Sequence, residues 1–484
     1  MCTVSSGSNK RNRYDKKTGG PRYLISLLLL AGYLIFGGIA PYVRQPEVGA
    51  DFQNRFDAKS FYSENVSCDR AGIVEENGDA LKERIRMIEY AKERIILSTF
   101  SFYSDVSGKQ MLSALISAAE RGVTVQILVD GFNFLTNIKG NPYFHALVRT
   151  ENTEVRVYND INLLTPWTAM SRMHDKYLIA DEKVYVMGGR NTFDYFLGDQ
   201  EGYKNYDRDL LVYNTGGEES SVYQLLDYFE GVWNLEYCKV WKPGKWLTDT
   251  SGVDEAEDEL HRIYSAMKEE RVDWFEEVDY ESCTVPANKI TLLSNPTELY
   301  SKEPWVFYGL GQLMQNAREK VVIHTPYIIC NKMMYETFTD VCRKGIDVTI
   351  MTNSAQNNGN PFGAADYVLH KERILDTGMN VLEYDGGISY HAKSMVIDDD
   401  LAIVGSFNMD MKSVYQDTEL MLVVNSKELA AQLNGLFESY QTDATEADPE
   451  RAPVEELFGG DVSGTQKVQR FFIMLLDPVL RFLL

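Results

Sequence analysis

The sequence predicts an α/β protein of two duplicated halves around a shared central active site, preceded by one N-terminal transmembrane helix. Three observations lead there. An uncharged run from Tyr23 to Ala40 follows a basic leader. From Gly78 onward, short apolar strand-like runs alternate with segments of helical hydrophobic spacing. The same series of elements then returns later in the chain, and both copies carry His-x-Lys-x4-Asp.

The leader, residues 1–22, holds Lys10, Arg11, Arg13, Lys16, Lys17 and Arg22 against one acid, Asp15. The run YLISLLLLAGYLIFGGIA, extended by Pro41 to Val43, is long enough to cross the roughly 30 Å hydrocarbon layer of a bilayer. It is apolar all round, which argues against a core helix. It is also longer than a signal-peptide core, which argues for a retained anchor. The basic flank belongs in the cytoplasm. The expectation is a single-pass protein of the cell membrane, anchored by 23–43, with its catalytic part outside the cytoplasm.

Residues 44–77 are polar and irregular and read as a stalk. The first half spans 78–247: an amphipathic helix at 79–93, the strand IILSTFSF at 95–102, the helix KQMLSALISAAERG at 109–122 with a glycine stop, and the strand VTVQILVD at 123–130. Such alternation predicts a mainly parallel sheet covered on both faces. In the second half, 289–440, AREKVVIHTPYI (317–328) answers AKERIILSTFSF (91–102), and KGIDVTIMTNS (344–354) answers RGVTVQILVDG (121–131). The acidic stretch 248–288 reads as a solvated connecting helix or two. The tail, 441–484, begins polar and ends VQRFFIMLLDPVLRFLL, where Asp477 and Pro478 interrupt any span. A place in the membrane interface and a place in the core both fit it.

The 484 residues are 44% apolar and 25% charged, an ordinary globular composition. A net charge of -23 argues against a nucleic-acid partner, which would need clustered Lys and Arg. Of six cysteines, Cys2 falls on the cytoplasmic side, leaving Cys68, Cys238, Cys283, Cys330 and Cys342. That odd set has no CxxC spacing and implies neither a zinc site nor a disulfide framework; one Cys238–Cys283 bridge is left open.

The chemistry concentrates in the two motifs, His174-x-Lys176-x4-Asp181 and His391-x-Lys393-x4-Asp398. In an extended chain, residues two apart share a face, so each His projects beside its Lys. Each motif leads to a glycine turn bearing Asn (Gly188-Gly189-Arg190-Asn191 and Gly405-Ser406-Phe407-Asn408), then to a carboxylate, Asp209 or Glu419. Two complete copies inside one repeat are far rarer by chance than one. A Lys beside each His repels a divalent cation, so neither a metal nor any other cofactor is expected.

Phosphodiester chemistry needs these groups. A neutral His can attack phosphorus and form a covalent adduct. Lys176 and Lys393 can hold the charge that grows on the nonbridging oxygens, with Asn191, Asn408 and Ser406 as donors to substrate. A second His must protonate the leaving alkoxide and then activate the incoming alcohol or water. Asp209 and Glu419 can accept the other ring N–H of each His and so orient it. Asp181 and Asp398 belong to the catalytic motif but fit better as ties between strands. The pattern does not say which His attacks.

With MHDKYLIAD, GGRN and DRDLLV in one half and YHAKSMVIDD and GSFNMDMKSVYQDTELMLVV in the other, the chain resembles the phospholipase D superfamily over roughly 79–440. It is most similar to bacterial cardiolipin synthases, and HTPYI (324–328) fits as well. The resemblance implies two phospholipase D-like halves meeting at one site, with His174 as nucleophile and His391 as acid/base. It implies a phosphatidyltransferase joining two phosphatidylglycerols with release of glycerol, so the partners are the membrane and its phospholipids. Hydrolysis of phospholipid to phosphatidic acid is the alternative, ahead of a nuclease or a non-catalytic membrane scaffold. The oligomeric state is left open. Three positions depart from the family pattern: Asp399 replaces the usual Gly, Gly189-Arg190 the second motif's Gly-Ser, and Asp417-Thr418-Glu419 the commoner Asn-x-Glu.

Overall fold

A computed structural model describes residues 20–242, 251–450, 457–458 and 464–484. Most of the basic leader and the start of the acidic stretch lie outside the described residues. Helix Gly20–Ile39 contains the apolar run, and Leu24–Tyr42 is long and apolar enough to cross a membrane.

Two sheets follow. The first has nine strands in the order Val285–Pro286, Asp69–Val74, Asp209–Asn214, Val184–Gly188, Tyr177–Ala180, Arg94–Thr99, Thr124–Asp130, Thr153–Tyr158, Cys238–Val240. The second has eight: Lys289–Ser294, Leu420–Asn425, Leu401–Gly405, Ser394–Ile397, Lys320–His324, Asp347–Asn353, Asn380–Tyr384, Ala444–Glu446. The duplication is therefore structural, and the α/β class holds. The expectation of a mainly parallel sheet does not. In each sheet only three neighbouring strands run parallel, Arg94 to Tyr158 in one and Lys320 to Tyr384 in the other. The motif strands return as antiparallel hairpins. Three residues separate Ala180 from Val184, and so short a link can only join antiparallel strands.

The halves are fused. One buried apolar cluster takes Tyr177, Met187 and Leu210 from the first sheet and Ala402, Val404 and Leu422 from the second. Truncating such a side chain, Leu422→Ala for example, costs about 2–5 kcal/mol. A short parallel ladder pairs Asn205–Tyr206 with Ser389–Tyr390, and an isolated bridge pairs Met173 with Thr418. Each crossing lies one residue from a motif histidine.

Two segments differ in character from their expected reading, and the open cysteine question closes. The segment read as a stalk is a packed clasp. Phe61 is buried in the second half's core, Phe52 stacks on Trp305 at 4.6 Å, and Asp69–Val74 enters the first sheet. The acidic connector is not solvated throughout. Its helix Ser251–Glu270 packs Val253, Ala256, Leu260 and Met267 against the first half and leaves its charges outside. All five described cysteines are free thiols, with Cys238 buried and Cys283 exposed, so there is no Cys238–Cys283 bridge.

Candidate active site

The crossings set the site. His391 donates its backbone N–H to Tyr206 O at 2.6 Å, which places its ring beside the next residue of the other half, Asp207. His174 donates its N–H to Thr418 Oγ1 at 3.1 Å, beside Glu419. The side chains complete the exchange. His174 Nδ1 lies 2.9 Å from Glu419 Oε1, and His391 Nδ1 lies 2.6 Å from Asp207 Oδ2. Each histidine is thus oriented by a carboxylate from the opposite half. The His174 imidazole, with its Nδ1–H so held, presents Nε2 as its free lone pair.

The lysines repeat the symmetry. Lys176 Nζ donates to His174 O at 2.5 Å, and Lys393 Nζ donates to His391 O; Lys393 departs from the symmetry in also lying 2.6 Å from His391 Nδ1, 3.2 Å from its Nε2 and 3.8 Å from Asp207 Oδ2. Both are buried. An aromatic edge supports each histidine: Phe100 meets His174 at 5.2 Å and Phe196 meets His391 at 5.1 Å between ring centres. His174 lines a pocket with Asn408, Lys412, Asp417, Leu483 and Leu484. His391 lines a neighbouring one with Tyr195, Tyr203 and Asn358. Tyr327 and Asn360 border both.

Burial and the neighbouring lysines favour the neutral form of both imidazoles. Burial, reinforced by Lys393, lowers His391 to about 4. Burial and Lys176 hold His174 well below its ordinary value. Burial lowers Lys176 to about 7 against the pull of Glu419, and Lys393 to about 8 against that of Asp207. Asp207 would rise through burial, but Lys393 and His391 outweigh that and hold it well below the usual carboxylate range. Burial pushes Glu419 up to about 8, resisted by Lys176 and by the Ser406 and Ser413 hydroxyls.

Two expected site roles are revised, those of Asp209 and Ser406, while Asp181 and Asp398 tie strands as expected. Asp209 orients no histidine; it pairs with Arg84 at 2.9 Å and Arg190 at 3.3 Å. The strand register explains this. Gly188 pairs with Asp209, whereas Gly405 pairs with Met421, so the position equivalent to Glu419 is Asp207. Ser406 does not face substrate, because its Oγ donates to Glu419 Oε2 at 2.5 Å. Its counterpart is Gly189, where an added Cβ would collide with the Asp207 carboxylate. Asp181 and Asp398 are structural. Asp181 accepts the amides of Lys92, Glu93 and Arg94 at 2.7, 2.8 and 2.9 Å, and Asp398 those of Arg318, Glu319 and Lys320 at 2.7, 2.8 and 3.2 Å. Both begin hairpin turns with positive φ, 51° and 55°, and Asp399 follows at 68°, a conformation that explains the family's usual glycine there. Asn191 spends its Oδ1 on the Ser101 amide, whereas Asn408 lies in the wall of the His174 pocket with Oδ1 unpaired.

His174, Asp417 and Glu419 present ligand atoms within 4.8 Å of one another. Those atoms are already engaged: Glu419 accepts from His174, Ser406 and Ser413, and Lys412 Nζ holds Asp417 at 2.6 and 2.8 Å. A cation there would have to displace Lys412.

A duplicated α/β fold with two facing His–Lys pairs defines an enzyme of the phospholipase D superfamily, a phosphatidyltransferase or phosphodiesterase by class. Known proteins agree with that class. Residues 84–233 and 310–441 match the family described as "Cardiolipin synthase, PLD-like domain", and the chain belongs to that family. Cardiolipin synthase C of Escherichia coli K12 is 26% identical, over 77% of this chain and 84% of its own. Cardiolipin synthase 1 of Staphylococcus aureus MRSA252 is 24% identical, over 79% and 69%. An uncharacterized protein of Helicobacter pylori 26695 is 26% identical, over 76% and 78%. In structure, the phosphatidylserine synthase of Haemophilus influenzae Rd KW20 superposes with a TM-score of 0.60 at 15% identity, over 86% of this chain and 95% of that one, and so shares the fold.

Proposed function

We propose that the protein is a membrane-anchored phosphatidyltransferase that joins two phosphatidylglycerols into cardiolipin and releases glycerol. The observation that carries the mechanism is the pair of crossed His–carboxylate contacts. His174 Nε2 attacks the phosphorus of the donor lipid, the P–O bond to glycerol breaks, and His391 gives its proton to the departing oxygen. The phosphatidyl group is then held on His174. His391, now neutral, takes the proton from the acceptor lipid's glycerol hydroxyl, that oxygen attacks phosphorus, and the P–N bond to His174 breaks. Lys176 and Lys393 hold the nonbridging oxygens throughout. His391 needs a proton for the first step. A phosphodiester anion between the two lysines offsets part of the charge that depresses the ring and raises its pKa in the complex.

Two features of the chain favour a lipid acceptor over water: the apolar helix Gly20–Ile39 and the apolar side chains Phe100, Ile329, Phe362, Leu483 and Leu484 around His174. Hydrolysis is the second reading, since bulk water at about 55 M competes for any exposed intermediate. The test is product analysis from phosphatidylglycerol vesicles. Cardiolipin and glycerol in near-equal amounts support transfer, and dominant phosphatidic acid supports hydrolysis. His174→Ala and His391→Ala should each lower turnover by at least about a thousandfold. Near-normal turnover in either variant removes the two-histidine mechanism.

A further inference from the structure

The last helix, Gly464–Leu480, has two unlike sides. Ile473 and Asp477 are buried against helix Pro361–Leu375, and Arg470 Nη1 donates to Leu457 O at 2.7 Å. Val468, Phe471, Phe472, Leu475, Leu476 and Val479 form a stripe at helical spacing on the other side, each 45% exposed or more. No other described segment lies over that stripe, and water is a poor neighbour for so continuous an apolar surface.

What lies beside the stripe says what should cover it. Beyond the helix the chain turns into the site. Arg481 binds Asp366 Oδ2 at 2.5 Å and Cys330 O at 2.7 Å, Lys412 N donates to an oxygen of Leu484 at 2.7 Å, and Leu483 and Leu484 line the His174 pocket. The foot of the N-terminal helix grips the adjoining residues. Asn331 Nδ2 donates to Gln45 Oε1 at 2.9 Å, Gln45 Nε2 reaches Met411 Sδ at 3.3 Å, and Tyr42 OH meets Ser171 Oγ at 3.0 Å, three residues before His174. A third apolar element runs along that helix. Tyr33 OH donates to Leu164 O at 2.8 Å, and Leu163 and Leu164 are 67% and 78% exposed. Tyr33 stands about 14 Å up the helix from Tyr42 at 1.5 Å per residue, so these leucines reach well into the level that a spanning helix occupies.

We propose that the stripe of the last helix, the Leu163–Leu164 loop and the foot of the N-terminal helix form one face embedded in the phospholipid bilayer, which opens the His174 pocket sideways into the membrane. Its occupant is the hydrocarbon–headgroup boundary. A lipid then reaches His174 by sliding its headgroup along Phe362, Leu483 and Leu484 while its acyl chains stay in the bilayer. This deepens the reading of the protein as a lipid phosphatidyltransferase and rests on it for the route of the substrate, though not for the embedding itself.

The test uses the full chain reconstituted in phosphatidylglycerol/phosphatidylethanolamine vesicles doped with a phospholipid carrying an acyl-chain diazirine. On illumination, label should appear on 468–479 and on Leu163–Leu164 as well as on 24–42. F472E/L475E and L163E/L164E change exposed side chains and should melt as the parent does. Each should lose label at its own segment and lower vesicle turnover about tenfold, with turnover of a water-soluble short-chain diester unchanged within about twofold. Label confined to 24–42, unchanged vesicle turnover in both variants, or cross-linking of the stripe to a second copy of the chain would each overturn the proposal. If 468–479 is labelled but no lipid is turned over, the embedding stands and the functional reading falls. If lipid is turned over without that label, the functional reading stands and the embedding falls.

Discussion

Replacing Asp207 by Asn should cripple the acid/base half of the reaction while sparing attack by His174. The carboxylate is fully buried and lies 2.6 Å from His391 Nδ1. Charge-assisted bonds of this kind contribute about 1.5–3 kcal/mol, and burial argues for the upper end, roughly a hundredfold in rate. The Asn amide can also turn its N–H toward Nδ1 and leave the imidazole in the wrong tautomer, which extends the loss to about 10²–10⁴-fold in kcat. The assay is a phosphatidyl ester of p-nitrophenol, a leaving group that needs no proton. In D207N the first step should survive, giving about one equivalent of nitrophenolate per site in a burst, followed by slow turnover. E419Q should abolish the burst, because Glu419 orients the attacking ring. D209N should retain both phases if it folds. A burst lost in D207N and kept in E419Q would exchange the roles of the two histidines. Normal kinetics in both would refute the crossed orientation.

Other tests reach other parts of the molecule. Above about 4 the free enzyme loses the His391 proton, and as pH rises through about 7 and 8 Lys176 and Lys393 lose theirs and hence their charge, so the fall of kcat/KM should steepen there. His174 is depressed, so the nucleophile stays neutral as pH drops through 6.5, and the acid limb should lie below that value. A pH-rate profile reads both limbs, and that of kcat should hold to higher pH because bound phosphate keeps the lysines charged. Exhaustive EDTA should leave turnover intact once surface effects of divalent ions on the vesicles are controlled; loss restored by one specific ion would contradict charge stabilisation by the lysines. D398N removes a carboxylate that accepts three backbone amides and should cost about 1–3 kcal/mol, read as a drop of several degrees in Tm, with kcat of the folded enzyme within about threefold. In a C2S background, Cys283, exposed and free, should react with an impermeant maleimide in intact cells if the catalytic halves face outward; reaction only after permeabilisation would reverse the topology.

Much of this is readable in the chain, and what is not has two causes. Motif spacing is local, so the His–Lys pairs, each just ahead of a strand, and the hairpins that follow them show in the sequence. Glu419 was legible too, because it sits at a strand mouth after the glycine turn. Asp207 and Asp209 alternate onto the same face, and the loop between Gly189 and Asn205 has no counterpart of equal length, so spacing could not choose between them. Only the pairing of Gly188 with Asp209 decides. Sequence distance also hides the exchange of carboxylates between halves, which depends on the Met173–Thr418 and Tyr206–Tyr390 crossings. The clasp at 50–74 and the connector helix are hidden in the sequence because polar composition masks a few well-spaced anchors, Phe52, Phe56 and Phe61 in one and Val253, Leu260 and Met267 in the other.

The crossed carboxylates give the duplication a consequence of its own. A half expressed by itself holds a histidine without its orienter and an orienter without its histidine, so neither fragment carries even a weakened version of the reaction. Activity therefore arises only once both halves have docked, and any slippage between them silences both rings together. Each carboxylate answers to the partner's ring, not its own, and the two are built differently: Asp207 packs against Gly189, whereas Glu419 accepts from Ser406.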